Sequence, residues 1–307
     1  MNTHPIGNET KERLRGLRPH LEQRIRGQPQ VLDRLFPALV RGELGLTSPN
    51  RPRGSFLFVG PTGVGKTELT NVFTAYLTGE KPVRFDMSEY QNQSSVEKLI
   101  GGSPGESGLL GKALSRAVRG TLLFDEIEKA HPLLLDLFLQ ILEDGRITLA
   151  TGKVLDLRPF YVVLTSNIGA ADAMRMHSAP FASVERTVLA RVSQQLRPEL
   201  VGRVTEKLVF RGLPFAVQRE ICEHMLSGEI SRLESLGFQL EVSEEIIEHA
   251  LRHGFHKTHG ARPMRTTVEQ FVQSAVADAL LDGAQGSGRL TVHPSGSRLE
   301  VADRNTS

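Results

Sequence analysis

Ser55-Phe-Leu-Phe-Val59-Gly60-Pro61-Thr62-Gly63-Val64-Gly65-Lys66-Thr67-Glu68 is the stretch on which the reading of this chain turns. Phe56–Val59 is a short apolar run of strand length, and from Lys66 to about Leu77 the pattern is helical. Between them, Gly60–Thr67 fits G-x-x-x-x-G-K-[ST] in full. A loop of this kind, placed after a strand and before a helix, turns its backbone N–H groups inward around phosphate oxygens. The glycines permit the turn, Lys66 brings a point charge to the outer phosphates of ATP, and the Thr67 hydroxyl suits Mg2+. A chance glycine-rich turn is the plain alternative, and the apolar strand and helix on either side argue against it.

Such a loop needs a carboxylate-bearing strand beside it. Leu122-Leu-Phe-Asp125-Glu126 is an apolar run that ends in two acids. Asp125 is placed to hold magnesium, directly or through water, and Glu126 to orient and deprotonate an attacking water. Tyr161-Val-Val-Leu-Thr165 ends in Ser166-Asn167, and ligands gather at the carboxyl ends of strands in open α/β sheets. On the pattern alone, Asn167 holds a water or the γ-phosphate, or simply forms a turn before Ile168-Gly169.

The rest of the chain alternates. Apolar spacing in Lys11–Arg24 suggests a leading helix or adaptor arm, and Pro29–Leu44 a second helix. Strand Pro82–Asp86, helix Ser94–Ile100, helix Gly111–Arg119, strand Thr121–Phe124, helix His131–Glu143 and strand Phe160–Thr165 follow. This order predicts an α/β fold, a parallel sheet between helices. Near Arg211–Phe215 the pattern changes to helices at Phe215–Leu236, Ser243–His253 and Pro263–Leu281, with closing strands Gly288–Val292 and Arg298–Val301. The expected organisation is an N-terminal arm over 1–24, a large α/β domain over 25–211 and a smaller, mostly helical lid over 212–307.

Composition narrows the classes of function. The 307 residues carry a formal net charge of +2, so no global basic field points to nucleic acid. The apolar runs are too short to cross a bilayer, and Met1–Lys11 lacks the apolar core of a secretory signal. A cytoplasmic protein is expected. The lone cysteine, Cys222, sits in a helical pattern and reads as a small buried hydrophobe.

Several motifs together resemble one family, the AAA+ ATPases of the Clp unfoldase and disaggregase type, and in particular their second ATPase module. They are Asn50–Glu68, Asp86-Met-Ser-Glu-Tyr90, Leu122–His131, Ile141–Thr148 and Leu164–Gly169. The likeness runs from about Ile25 to the C-terminus. It implies a P-loop NTPase fold that binds ATP between subunits of a homo-oligomeric ring, usually a hexamer, and remodels a protein substrate or complex. By the resemblance Asn167 is the polar sensor of the γ-phosphate. Arg203, in Arg197-Pro-Glu-Leu-Val-Gly-Arg203, matches the arginine finger that reaches a neighbour's nucleotide. Arg262, in Gly260-Ala-Arg262-Pro263, matches the lid's nucleotide-sensing arginine, and Arg26-Gly27-Gln28 the segment packed near adenine.

The chain departs from the family between Ile100 and Lys112. Clp-type unfoldases carry there a pore loop of Gly-Tyr-Val-Gly type, whose aromatic ring grips substrate. Here Leu99-Ile-Gly-Gly-Ser-Pro-Gly-Glu-Ser-Gly-Leu-Leu110 has lost that stretch, and no Tyr, Phe or Trp stands between Gln91 and Arg119. Grip would then fall to Leu109 and Leu110, to Gly145–Lys153 or to a partner. An ATP-controlled scaffold or regulatory switch that threads nothing is the competing expectation. Nucleic-acid remodelling is disfavoured by the near-neutral charge and by the lack of a stacking platform or helix-turn-helix signal. Leu236-Gly-Phe238 resembles a protease-docking tripeptide but also suits an ordinary turn. His249, His253, His256 and His259 lack a cysteine or an acid at ligand spacing, which favours solvated or capping histidines over a zinc site.

Overall fold

The computed structural model describes residues 7–115, 117–256, 260–283, 287–293, 295, 296 and 298–302. The chain forms two compact units, residues 1–61 with 65–211, and residues 62–64 with 212–307.

In the first unit, α1 (Asn8–Arg24) buries Leu14, Leu17 and Leu21, and α2 (Pro29–Glu43) starts at a proline that suits a first helical turn. Strand β1 (Gly54–Val59) leads into α3 (Lys66–Thr78), which stops at the left-handed Gly79. Next come β2 (Val83–Asp86), α4 (Gln93–Ile100), α5 (Gly108–Leu114) and β3 (Gly120–Asp125). Helix α6 (Pro132–Asp144) is capped by His131, whose Nδ1 accepts the Leu133 N–H at 3.3 Å, and ends at the left-handed Gly145. A small antiparallel pair, β4 (Arg146–Thr148) and β5 (Val154–Asp156), precedes β6 (Phe160–Ser166). The unit closes with α7 (Ala170–Arg175), α8 (Phe181–Gln195), α9 (Pro198–Arg203) and β7 (Glu206–Val209).

Five parallel strands form the sheet, in the order β2-β3-β6-β1-β7. All residues of β1 and β6 are buried, as expected for central strands covered on both faces. Phe56, Phe73 and Tyr161 pack with ring centroids 5.9–6.3 Å apart, within the range in which aromatic pairs attract. The Tyr161 hydroxyl lies 3.1 Å from both Leu39 O and Glu43 Oε1. Arg13 and Arg53 hold the same carboxylate at 3.0 and 2.7 Å, so the buried Glu43 charge is compensated. Burial, with Glu43 beside it, pushes the Tyr161 hydroxyl far above its ordinary pKa.

Two expectations need correction. The helix expected over Gly111–Arg119 is α5, earlier and shorter, because a left-handed Gly108 (φ +61°) closes the preceding turn and β3 already begins at Gly120. Between Ser166 and Val209 the alternation continues, with α7, α8, α9 and β7 where no element was foreseen.

The second unit contains α10 (Phe215–Glu234), β8 (Gln239–Glu241), α11 (Glu244–Gly254), α12 (Arg262–Leu281), β9 (Ser287–Val292) and β10 (Leu299–Ala302). Its sheet runs β10-β9-β8, with β9 antiparallel to β10 and parallel to β8. Cys222, Leu226, Ile246, Met264, Val268, Val272 and Leu290 make its core, and burial pushes the Cys222 thiol up to about 11. Leu236-Gly-Phe238 is the turn between α10 and β8, with Phe238 packed on that core. No helix among the described residues is long and apolar enough to cross a membrane.

Candidate active site

The strand order sets the carboxyl ends of β1, β6 and β3 side by side, and Lys66, Asp125, Glu126 and Asn167 collect there. Gly65 opens α3 at φ +103°, a conformation that side-chain-bearing residues avoid, although a Cβ there would meet nothing within 4 Å. The dihedral, not crowding, demands glycine. The Lys66 side chain is buried, and its Nζ donates to Gly60 O at 2.5 Å, Pro61 O at 2.8 Å and Asn167 Oδ1 at 2.9 Å. Burial pulls its pKa down to about 8, with Asp125, Glu128 and Glu126 opposing that shift. Thr67 is half-buried and Glu68 exposed on the first turn of α3, while Thr62, Gly63 and Val64 group with the second unit.

Asp125 and Glu126 leave the end of β3 in different directions. Asp125 Oδ1 accepts the Thr165 hydroxyl, and its Oδ2 lies 2.7 Å from Arg84 Nη2. Glu126 is the one non-glycine residue with positive φ (+58°) among the described residues, a conformation that costs energy and concentrates at functional sites. Its N–H donates to Thr165 Oγ1 at 3.1 Å, Oε1 accepts Asn167 Nδ2–H at 3.1 Å, and Oε2 lies 2.5 Å from Lys129 Nζ. Asn167 therefore touches Lys66 with its oxygen and Glu126 with its nitrogen. Its N–H donates to Glu128 Oε1 at 2.9 Å, while Glu128 Oε2 is buried with no hydrogen-bond partner.

Other singled-out residues lie outside this cluster. Arg203, at the end of α9, is paired with Glu143 on α6 at 2.8 Å. Gln28 is fully buried and bonds both backbone groups of Arg211 at 3.0 Å; Gly27 is left-handed, and Arg26 Nε is buried with no partner. Arg262 is exposed at the start of α12 in the second unit. No group of three His, Cys, Asp or Glu among the described residues suits a metal ion. His249 is buried, not solvated, with its ring 4.4 Å from that of His253 and its Nε2 unpartnered; His253 Nδ1 lies 2.9 Å from His249 O, and His259 is outside the described residues.

Sequence reading missed Arg84, Thr165, Glu128 and Lys129. Glu128 and Lys129 stand in the same run as Asp125 and carried a signal, but Arg84 and Thr165 reach the acids only through strand pairing. The Thr67 hydroxyl and the Asp125 carboxylate are hard oxygen donors, the kind magnesium prefers, so this donor set fits that ion.

Residues 51–207 match the family model described as AAA domain (Cdc48 subfamily), and residues 213–292 match the C-terminal, D2-small domain of ClpB protein. Heat shock protein 100 of Trypanosoma brucei brucei is 38% identical over 285 residues, covering 90% of this chain and 33% of that protein. The ATP-dependent Clp protease ATP-binding subunit ClpA homolog of Porphyra purpurea is 37% identical, covering 92% of this chain and 37% of the relative. Chaperone protein ClpB of Aquifex aeolicus (strain VF5) is 35% identical, covering 94% and 30% respectively. The chain thus spans about a third of the length of these relatives. With both of its units matched in order and a lysine, an asparagine and a glutamate joined at the strand ends, the chain belongs to the AAA+ ATPases of the Clp type.

Proposed function

We propose that this chain is the ATP-hydrolysing module of an assembly that remodels a protein substrate or complex, working as a homo-oligomeric ring with nucleotide held between subunits. The observation that carries the reading is the hydrogen-bonded run from Lys66 through Asn167 to Glu126. In it, a cation for the outer phosphates, a neutral polar group and a carboxylate base meet at the ends of adjacent strands.

The loop Gly60–Thr67 binds the phosphates, and Lys66 exchanges its contacts with Gly60 O and Pro61 O for phosphate oxygens. Glu126 takes the proton of the attacking water, while Asn167 holds it in line. Thr67 and Asp125 hold magnesium, whose charge offsets that of the phosphates. Arg26–Gln28 flank the base, Arg203 serves the nucleotide of a neighbouring subunit, and Arg262 responds to nucleotide from the lid. Residues 25–211 form the ATPase domain, 212–307 the lid and 1–24 an arm.

The test is Glu126→Gln. The variant should bind a fluorescent ATP analogue as the parent does, and hydrolyse ATP about a hundredfold more slowly or worse. Turnover near the parental rate removes Glu126 as the base.

One observation favours a second reading, an ATP-controlled scaffold that threads no polypeptide. The segment after α4 folds on itself: Glu106 N–H donates to Ser103 O at 3.0 Å, and Gly102 N–H to Glu106 Oε2 at 3.2 Å. Leu110, a candidate for substrate grip, is fully buried, which leaves Leu109 exposed at 46%. A scaffold keeps its cellular effect in the Glu126→Gln variant, whereas a motor loses it.

A further inference from the structure

The pairing of β2 with β3 sets Asp86 opposite Asp125 and Arg84 opposite Leu123. Residues two apart share a face of a strand, so Arg84 lies on the face that carries Asp125. Its Nη2 meets Asp125 Oδ2 at 2.7 Å, within the range of a charge-assisted hydrogen bond, while the other carboxylate oxygen is taken by the Thr165 hydroxyl. A second carboxylate waits nearby. Asp86 Oδ2 is 3.7 Å from the same nitrogen, and Asp86 is held in place by the Ser88 N–H at 3.0 Å and the Ser88 hydroxyl at 2.6 Å. The Arg84 side chain is 44% exposed and that of Asp125 12%, so the cation is the partner free to move.

We propose that Arg84 is a resident counter-cation of Asp125 that competes with the divalent ion for the same carboxylate and sets how much magnesium nucleotide binding requires. This rests on the reading of Asp125 as a magnesium-facing acid. Asp125 would otherwise be a poorly solvated negative charge next in sequence to a second acid, Glu126, and Arg84 neutralises it. When Thr67 and Asp125 take up the ion, Arg84 shifts to Asp86, and no charge is left unpaired. Arg84 is therefore a positioning residue: it acts through Asp125.

The experiment is a magnesium titration of fluorescent ATP-analogue binding, with melting temperature recorded without added nucleotide. Arg84→Gln should lower the magnesium concentration for half-maximal binding by about two- to fivefold, the scale of a half-exposed ion pair. It should also lower the melting temperature in the absence of nucleotide and magnesium. Arg84→Lys, which keeps the charge but not the fork, should fall between parent and Arg84→Gln. An unchanged or raised magnesium requirement in Arg84→Gln overturns the proposal. Asp125→Asn separates the two ideas. If it leaves the magnesium requirement as in the parent, the metal reading of Asp125 fails. If it changes that requirement while Arg84→Gln does not, only the role of Arg84 fails.

Discussion

Arg203 Nη2 sits 2.8 Å from Glu143 Oε2, so the arginine proposed to act on a neighbour's nucleotide is held within the same chain, by α6. At the other end of α9, its preceding residue Arg197 is held by Asp136, also of α6, at 2.6 Å. A finger must leave such a partner before it can serve a neighbour. At 30% and 52% side-chain exposure, the Arg203–Glu143 pair belongs with surface ion pairs worth about 0–1 kcal/mol. Glu143→Gln should therefore lower the protein concentration for half-maximal ATPase by about two- to fivefold. Arg203→Ala should lose turnover even in assembled particles. ATPase measured against protein concentration, with particle mass alongside, checks both.

Lys66 gives a pH signature. Its pKa is pulled down to about 8 by burial, so near pH 9 the amine is mostly neutral. Phosphate oxygens beside it favour the charged form, and binding at that pH should take up a proton. Affinity should accordingly fall as pH rises through about 8 and beyond. Calorimetry at pH 9 in two buffers of different ionisation heat should show the uptake, and Lys66→Arg, which stays charged, should abolish it.

Glu128 accepts the Asn167 N–H and orients the residue that spans Lys66 and Glu126. Glu128→Ala should lower kcat by about tenfold, the scale of losing a hydrogen bond to a charged acceptor. Glu128→Gln, which keeps an acceptor, should recover most of that loss with KM little changed. Steady-state kinetics on the two variants decide it.

The turn after α4 can be dissected with two glycines. Gly101 has φ +95°, and a Cβ there would lie 2.1 Å from Glu106 O; Gly105 has φ +98° but nothing within 4 Å. Gly105→Ala should cost about 1 kcal/mol, from the backbone alone. Gly101→Ala should cost about 2 kcal/mol or more, since a main-chain oxygen must move as well. Denaturant unfolding measures the difference, and proteolysis between residues 101 and 108 should speed up only in the second variant.

In the second unit, His249 carries an acid sensitivity. Burial lowers its pKa, and His253 and Arg252 add to the shift against a smaller opposing effect of Glu245. The unfolded chain then takes up a proton at a higher pH than the folded one, so stability is lost as pH falls below about 6.5. His249→Phe, which can pack on Phe271 as the imidazole does, should flatten the fall in melting temperature between pH 7 and pH 5.

Legibility in the sequence followed locality. Gly60–Thr67 was readable because its turn, lysine and hydroxyl are contiguous, and Asp125 and Glu126 because an apolar run ends on them. Arg84 and Thr165 were not, since the register Asp86 with Asp125 and the pairing of β3 with β6 bring them to the acids. Strand β7 was hidden by Glu206 and Lys207, whose charges break the apolar run; at this sheet edge Arg34 of α2 pairs with Glu206 at 2.8 Å. Val184, Val188 and Val192, each four apart on α8, were a readable stripe left unread among polar neighbours. Helix α5 was misplaced because no periodicity announces that Gly108 must be left-handed.

The knot of Tyr161, Glu43, Arg13 and Arg53 has a mechanical meaning. It bolts the amino-terminal end of β6 to the first two helices, while the other end of that strand carries Asn167. With β1 and β3 laddered to the same strand as far as Ser166 and Leu164, the register that sets Asn167 between Lys66 and Glu126 is pinned from the far end of β6 as well as from both of its sides.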